Sequence, residues 1–199
     1  MKTWAKWVTG TAASLAIASA VWEPLTAHEE APPPLRSYDV EIVRDEFGVP
    51  HINGKTDADA AYGLAYAHSE DDFSTIQEVI AMTRGRDGAL TGSDGAQIDY
   101  VAALLGVRET AHRAYPTLSP EVRRVVEGYA AGLNHYADKH RSELKLAKLF
   151  PVTGEDVVTG FVLRAPFFYG LDGVIGALVG DKPAPREGAL PMTPIGREP

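Results

Sequence analysis

The sequence predicts a helix-rich α+β fold with few strands. Apolar residues recur at helical spacing through most of residues 57–165, and capping residues stand where such helices would begin. Only residues 38–44 alternate in the way that a half-buried strand does. Prolines cluster in residues 28–37 and 181–199, which no helix could cross. We therefore expect one folded domain over residues 38–180, between a proline-rich leader and a spacer or linker tail.

The strand is predicted because Val40 and Ile42 share one face and Glu41 lies on the other. Gly48 is a natural turn residue. Residues 49–52 then return to an extended path, since the residue before a proline avoids the helical region. With only one or two strands in the chain, the edge of the first strand has no predicted partner, and an open edge invites pairing.

Helices are expected to fill the next part of the chain. Asp57 is placed to cap the first of them. Ser69 and Asp72 stand three residues apart, close to a capping box, so Ser69 is predicted to cap a second helix. Residues 89–96 are polar and glycine-rich and are predicted to form a loop, and residues 98–114 are predicted to form a third helix.

The last two predicted helices have the clearest starts. Ser119 is expected to cap the fourth helix, with Pro120 at its first position, where the missing N–H costs nothing. Thr153 and Asp156 are expected to open the fifth helix. Pro166 should end or kink that helix, because proline removes a hydrogen bond and crowds the preceding turn.

Composition excludes several classes of protein. The 199 residues carry a net charge of −8, which argues against nucleic-acid binding, since that requires a basic surface. The chain contains no cysteine, so disulfides and cysteine-based metal or redox sites are excluded.

The N-terminus has the pattern of a secretory signal peptide. Two lysines precede an apolar, alanine-rich run at residues 9–20, and small residues follow, which predicts cleavage after Ala20 or Ala27. Residues 1–27 are assigned to the signal peptide on this basis. The run is shorter than the roughly 20 residues of a membrane-spanning helix. We therefore expect a periplasmic or secreted protein without a stable membrane anchor.

Motifs of a self-sufficient enzyme are missing from the sequence. It contains no G-x-S-x-G elbow, no P-loop and no H-E-x-x-H pair. The nearest approach to a metal cluster is His51 and His68 with the carboxylates at residues 70–72, and a metal-dependent hydrolase built on them is one interpretation. Capping carboxylates and structural histidines explain the same residues more simply, so no metal ligand is predicted.

Three stretches carry a resemblance to a known family. Residues 40–52 read V-E-I-V-R-D-E-F-G-V-P-H-I, and residues 60–86 begin with A-A-Y-G-L-A-Y-A-H-S-E-D-D-F and end with R-G-R. Residues 127–136 read E-G-Y-A-A-G-L-N-H-Y, similar to the family pattern Y-A-x-G-x-N-x-Y. In this order they resemble the α subunit of the penicillin acylase family of N-terminal-nucleophile (Ntn) hydrolases.

The resemblance implies a particular assembly and chemistry. Such an α subunit is helix-rich and contributes few strands to a four-layer αββα heterodimer. A secreted precursor cuts itself, and the new N-terminal Ser of the β subunit attacks the amide of a small N-acyl substrate. The nucleophile therefore lies on the partner chain, and no catalytic residue is assigned here. No cofactor is required. Some members bind calcium through a carboxylate of this region, for which Asp172 is the nearest candidate.

The resemblance also implies a substrate-binding segment. The late helical part of the α subunit lines the acyl pocket in the family, and Leu163, Arg164, Phe167 and Phe168 fall in that part. Adjacent aromatic residues after a helix kink suit one wall of an apolar pocket. The alternative interpretation is that they pack in the interface between the subunits.

Two functions of different classes follow from the sequence. The first is the α subunit of a secreted amidohydrolase acting on acyl-homoserine lactones, β-lactams or lipopeptides, with the apolar residues 174–179 favouring aliphatic acyl chains and hence the lactones. The second is a non-catalytic secreted helical binding or scaffold protein, which the lack of a complete site favours.

Overall fold

The computed structural model describes residues 37–146 and 148–179. The predicted signal peptide, nearly all of the leader and the predicted tail lie outside this part of the chain. Its strands are β1 (Val40–Arg44) and β2 (Pro50–Gly54). Its α-helices are α1 (Asp57–Thr83), α2 (Gly88–Thr91), α3 (Ser93–Leu104), α4 (Val107–Ala114), α5 (Pro120–Lys139), α6 (Gly154–Phe168) and α7 (Leu171–Val179). Short 3₁₀ turns follow at Tyr115–Thr117 and Arg141–Glu143. This confirms the predicted helix-rich α+β fold.

The two strands form an antiparallel hairpin in which Ile42 pairs with Ile52. Asp45 shapes the turn, because its Oδ1 accepts hydrogen bonds from the backbone N–H groups of Phe47 and Val49, both at 2.9 Å. The predicted strand and the extended return are therefore confirmed. Within the described residues the sheet has only these two strands, so the outer edge of β1 pairs with no further strand.

The start and the interior of α1 differ from the predictions. Thr56, not Asp57, caps the helix through a capping box with Asp59. Ser69 does not cap a second helix, because its hydroxyl is buried and donates to the carbonyl of Ala65 at 2.8 Å. The break falls at Asp72, whose backbone is non-helical and whose Oδ1 accepts from the N–H of Thr75 at 3.1 Å. The second helical segment is thus capped by Asp72 and continues α1 across a kink.

Helices α1 and α5 pack closely along each other and form the body of the domain. Gly128 and Gly132 of α5 face the backbone carbonyls of Ala58 and Tyr62 on α1. A Cβ atom at either glycine would lie well inside 3.0 Å of those oxygens, which real Cβ atoms essentially never do. The Gly-x-x-x-Gly spacing of α5 therefore sets the distance between the two helices.

The core lies between these helices and the segment before α6. Its buried members from α1 and α5 include Phe73, Ile76, Ile80, Leu133 and Tyr136. Leu146, Leu149, Phe150 and Val152 close it from the connecting segment. Gln77 is buried among them, and its side chain bonds the carbonyl of Glu143 at 3.0 Å and the N–H of Lys145 at 2.8 Å. The irregular connection is thereby tied to α1.

Two further predictions about elements are wrong. The predicted loop at residues 89–96 is helical over α2 and the start of α3, because the carboxylate of Asp99 accepts from the N–H groups of Asp87 and Gly88, each at 2.9 Å. The predicted third helix is divided into α3 and α4 at Gly106, whose φ of 59° is left-handed.

The predicted start of the fourth helix is confirmed. Ser119 caps α5, accepting from the N–H of Val122 at 3.3 Å, and Pro120 is its first residue, as predicted. Helix α6 runs two residues beyond Pro166 and ends at Phe168. The predicted end at Pro166 is therefore wrong by two residues, because the proline removes only its own N–H bond to the preceding turn. No helix in the described residues combines the length and apolar character that a membrane span requires.

Candidate functional site

The start of α6 is held by a capping box, as the sequence predicts. The N–H of Thr153 donates to Asp156 Oδ2 at 2.8 Å, and the N–H of Asp156 donates to Thr153 Oγ1 at 3.2 Å. Two backbone donors that the first turn would leave unpaired are thus satisfied. The carboxylate also lies near the positive end of the helix dipole, which favours its charged form.

Arg84, at the end of α1, binds the same carboxylate. Its Nε lies 3.0 Å from Asp156 Oδ1 and its Nη2 lies 2.8 Å from Oδ2, a bidentate pair. The guanidinium also donates to the carbonyls of Lys148 at 3.2 Å, Leu149 at 2.8 Å and Pro151 at 2.7 Å. The two side chains are only 18% and 15% exposed. We call these contacts the Arg84 anchor; they join α1, the connecting segment and α6.

The pKa of Asp156 is lowered below its ordinary value. Partial burial alone would raise this pKa, but hydrogen bonds and the charge of Arg84, together with the bonds from Thr153, outweigh that effect. The carboxylate is therefore ionised at neutral pH and completes the ion pair.

A second anchor lies just before the helix. The side chain of Asn134 on α5 donates to the carbonyl of Val152 at 2.8 Å and accepts from the N–H of the same residue at 2.7 Å. The amide side chain thus satisfies both backbone groups of Val152, as a neighbouring strand would do in a sheet. Both anchors act at the N-terminal end of α6.

The four predicted substrate-binding residues lie at the other end of α6. Leu163 and Phe167 are half-buried, whereas Arg164 and Phe168 are exposed. The guanidinium carbon of Arg164 lies 5.9 Å from the centre of the Phe168 ring, within cation–π range. The structure thus brings the predicted residues together on the last two turns of the helix.

An exposed group of aromatic side chains surrounds this end of the helix. Phe161 is 70% exposed, Phe168 is 79% exposed and Tyr169 is 83% exposed. Phe161 and Phe168 are seven residues apart, which places them on the same side of α6. We call these three residues the aromatic surface. Large aromatic side chains grouped in this way are typical of a surface that binds a partner or a ligand.

A cleft of about 410 Å³ lies at the anchored end of α6 instead. Its lining is mainly charged and contains none of the four predicted residues; it consists of Arg84, Arg86, Arg108, Lys148, Thr153, Glu155, Asp156 and Thr159. Small-molecule pockets are usually apolar with a few polar groups. This cleft therefore does not suit an aliphatic acyl chain.

The histidines and carboxylates considered as metal ligands have other partners. His51 lies 3.2 Å from Asp45 in the hairpin, and His68 lies 3.0 Å from the hydroxyl of Tyr129. Glu70 and Asp71 both bind Arg44. The described residues contain no group of three or more His, Asp or Glu side chains placed to hold a metal. The side chain of Asp172 lies outside the described part, so the calcium stays a prediction.

Sequence reasoning found the residues of the Arg84 anchor but not their contact. Arg84 belongs to one of the family-like stretches, and Asp156 is predicted at the start of a helix. Their pairing across 72 positions is not visible in the sequence. The sequence feature that comes closest to predicting the contact is that Arg84 and Asp156 each lie at a helix end. An arginine and an acidic residue both find backbone partners there.

The Asp156 carboxylate predicts a specific acid sensitivity. Because its pKa is lowered on folding, its stabilising effect is complete above the ordinary carboxyl pKa of about 3.9 and is lost as pH falls through the lower, folded value. Hydrogen exchange of the α6 amides, corrected for intrinsic rates, should show the wild type losing its advantage over Asp156→Asn below about pH 4. Parallel pH dependences in the two proteins would contradict this assignment.

The fold matches that of a solved acylase. A thermostable penicillin G acylase from Alcaligenes faecalis aligns with a TM-score of 0.54 and 24% identity, covering 74% of this chain and 77% of the matched chain. The class defined by the fold is therefore that of a helix-rich chain with few strands. A family model described as penicillin amidase matches residues 39–167, more than half of the sequence. The chain belongs to the penicillin amidase family.

Curated relatives are similar over about half of this chain. An acyl-homoserine lactone acylase QuiP of Pseudomonas aeruginosa is 31% identical over 107 residues, which is 54% of this chain and 13% of that protein. Penicillin acylase 2 proenzyme of a Pseudomonas species is 28% identical over 97 residues, or 49% of this chain and 12% of that protein. The chain thus matches about an eighth of the length of these relatives.

Proposed function

We propose that this chain is the α subunit of an N-acyl amide hydrolase whose nucleophile lies on a β subunit cut from the same precursor. The match of residues 39–167 to the penicillin amidase family is the observation that carries this proposal. In such a site the α-amine of an N-terminal Ser takes the proton of its own hydroxyl, which attacks the amide carbonyl. The acyl group passes to the serine, the amine leaves, and water releases the acid.

The surface of the chain supports a subunit role. The aromatic surface is exposed in the described structure, and β1 has no strand partner on its outer side. A larger chain that contributes a sheet would cover both features.

For the substrate, we favour N-acyl-homoserine lactones with aliphatic acyl chains over β-lactams and lipopeptides. Relatives named acyl-homoserine lactone acylase support this choice. Leu163, Phe167 and Phe168 would form one apolar wall of the acyl site, since their side chains are incompletely buried within the chain. Arg164 would keep its charge at the rim beside the Phe168 ring.

The proposed location is the periplasm or the exterior. The signal-peptide pattern predicted for residues 1–27 and the bacterial acylases among the relatives support it. Acyl-homoserine lactones and β-lactams are both small molecules that an extracytoplasmic enzyme could meet.

The test uses the protein purified from cells that express the complete gene. Intact mass should reveal a second, larger chain that begins with Ser, and the complex should release homoserine lactone from N-acyl substrates. A Ser→Ala change at that new N-terminus should abolish release. Absence of hydrolysis with acyl-homoserine lactones, β-lactams and lipopeptides alike would refute the proposal and leave the non-catalytic binding protein as the better interpretation.

Phe168→Ala is expected to reduce kcat/KM roughly tenfold for a dodecanoyl substrate and less for a butanoyl substrate, because only the longer chain reaches the lost apolar contact. Initial rates over a range of substrate concentrations measure this. Phe47→Ala is the matched control, since Phe47 is also a phenylalanine, is 83% exposed and lies in the hairpin turn. Equal losses for both substrates would argue that Phe168 lies in a subunit interface.

A further inference from the structure

Helix α6 is held firmly at one end only. Its buried residues are Gly154 and Thr159, both in its first half. From residue 160 to residue 168 every position is half-buried or exposed. The position of the second half therefore depends on how the first half is anchored, because few apolar contacts hold it directly.

The Arg84 anchor supplies the most directional of these contacts. A guanidinium bound in two places to a carboxylate fixes both distance and angle, which a single hydrogen bond does not. Arg84 also bonds the carbonyls of Leu149 and Pro151, so the connecting segment and the helix are held by one rigid planar group. The Asn134 anchor fixes Val152 alone, one residue before the cap of the helix.

A small tilt of α6 at the Arg84 anchor would move the far end of the helix by a larger distance. Asp156 and Phe168 are twelve residues apart on one helix, which is about 18 Å along its axis. A tilt of about 3° at the anchored end would displace Phe168 by about 1 Å. Displacements of that size within a binding site are enough to change rates by up to about a hundredfold.

We infer that Arg84 is a positioning residue: through Asp156 it sets where the aromatic end of α6 lies, and thereby which acyl-chain lengths the enzyme accepts. This inference rests on the proposed function, in which that end of α6 forms a wall of the acyl site. Arg84 itself touches no substrate, since it lies at the opposite end of the helix, and its effect on selectivity is indirect.

The test compares Arg84→Lys with the wild type in the complete, processed enzyme. Lysine keeps the positive charge but cannot bind both carboxylate oxygens and the three carbonyls at fixed angles. We expect the ratio of kcat/KM for a dodecanoyl over a butanoyl homoserine lactone to fall roughly tenfold, through a higher KM for the long substrate. The kcat for the short substrate should stay within about twofold of the wild-type value.

Two controls separate positioning from a general structural defect. Asp156→Asn should reproduce the change in selectivity, and the double variant should add little to either single variant, because both remove one interaction. Arg44→Lys alters an arginine that also binds two carboxylates, but at the hairpin, and should leave selectivity unchanged. A merely less folded enzyme would lower the rates for all chain lengths equally, and that result would overturn the inference.

A second measurement does not depend on activity. Hydrogen exchange in the complete protein should be roughly tenfold faster for the α6 amides of Arg84→Lys, with the α5 amides unchanged. Unchanged α6 exchange would overturn the inference whatever the kinetics show. An inactive wild type would refute the proposed function, and with it the effect on selectivity, while the exchange data would still decide whether Arg84 positions α6.

Discussion

Gly132→Ala is expected to lower the free energy of unfolding by about 3 kcal/mol, the upper end of the usual range for overpacking. The new methyl group would lie 2.8 Å from the Cβ of Ala65 and closer still to the carbonyl of Tyr62. A backbone oxygen cannot rotate away as the end of a flexible side chain can. The helices α1 and α5 would have to separate, which loosens the core that they share with Phe73 and Leu133.

Gly160→Ala is the matched control for that variant. Gly160 also lies within a helix, but a Cβ atom there would meet only the Cγ2 of Thr83 at 3.7 Å, an ordinary contact. The substitution should stabilise the protein by about 0.5–1 kcal/mol, since alanine is the better helix former. Hydrogen exchange in the complete protein measures both effects, through the α1 and α5 amides for Gly132→Ala and the α6 amides for Gly160→Ala. If the two variants behave alike, the close crossing of α1 and α5 is not a constraint.

Arg84→Met should cost about 3 kcal/mol, because it removes the guanidinium from the carboxylate of Asp156 and from three backbone carbonyls. Methionine matches the length of the arginine stem and removes only the polar head. The loss should appear as faster hydrogen exchange in α6 and in the segment before it, ahead of the rest of the domain. Arg84→Lys should lose less, since one charged contact can survive.

Arg44→Met controls for the loss of a cation as such. Arg44 lies 3.0 Å from Glu70 and 2.8 Å from Asp71, but the pair is open to solvent on the hairpin. Water can hydrogen-bond the two carboxylates when the arginine is removed. The loss of unfolding free energy should therefore be far smaller than at Arg84. A larger loss at Arg44 than at Arg84 would show that the Arg84 anchor does not hold α6.

Much of the fold could be predicted because its signals are local. Ser119 and Thr153 cap helices where the sequence places them, since each side chain bonds a backbone group three residues away. The prediction for Ser69 was wrong for a related reason. A serine hydroxyl can cap a helix or donate to a carbonyl of the preceding turn, and the buried Ser69 does the second. The helical turn at residues 88–91 was not predicted, because the carboxylate that binds its first N–H group belongs to Asp99, which lies beyond the predicted loop at residues 89–96.

For the candidate site, too, the sequence predicted the local arrangement of the residues but not their exposure. Leu163, Arg164, Phe167 and Phe168 were proposed from a family resemblance, and a helical spacing is enough to predict that they lie within two turns of each other. Whether they face solvent or the core could not be predicted, because an apolar run with three aromatic residues suits either surroundings. The structure places two of them outward and two partly inward.

By itself, the sequence determined the family, the helix-rich class and the helix starts at Ser119 and Thr153, since these depend on neighbours a few residues apart. Only the tertiary structure decided that Arg84 meets Asp156 across 72 positions and that Gly132 meets the backbone of Tyr62. Such contacts form when distant segments come together to bury a shared core, and no local pattern records which partner each group will find.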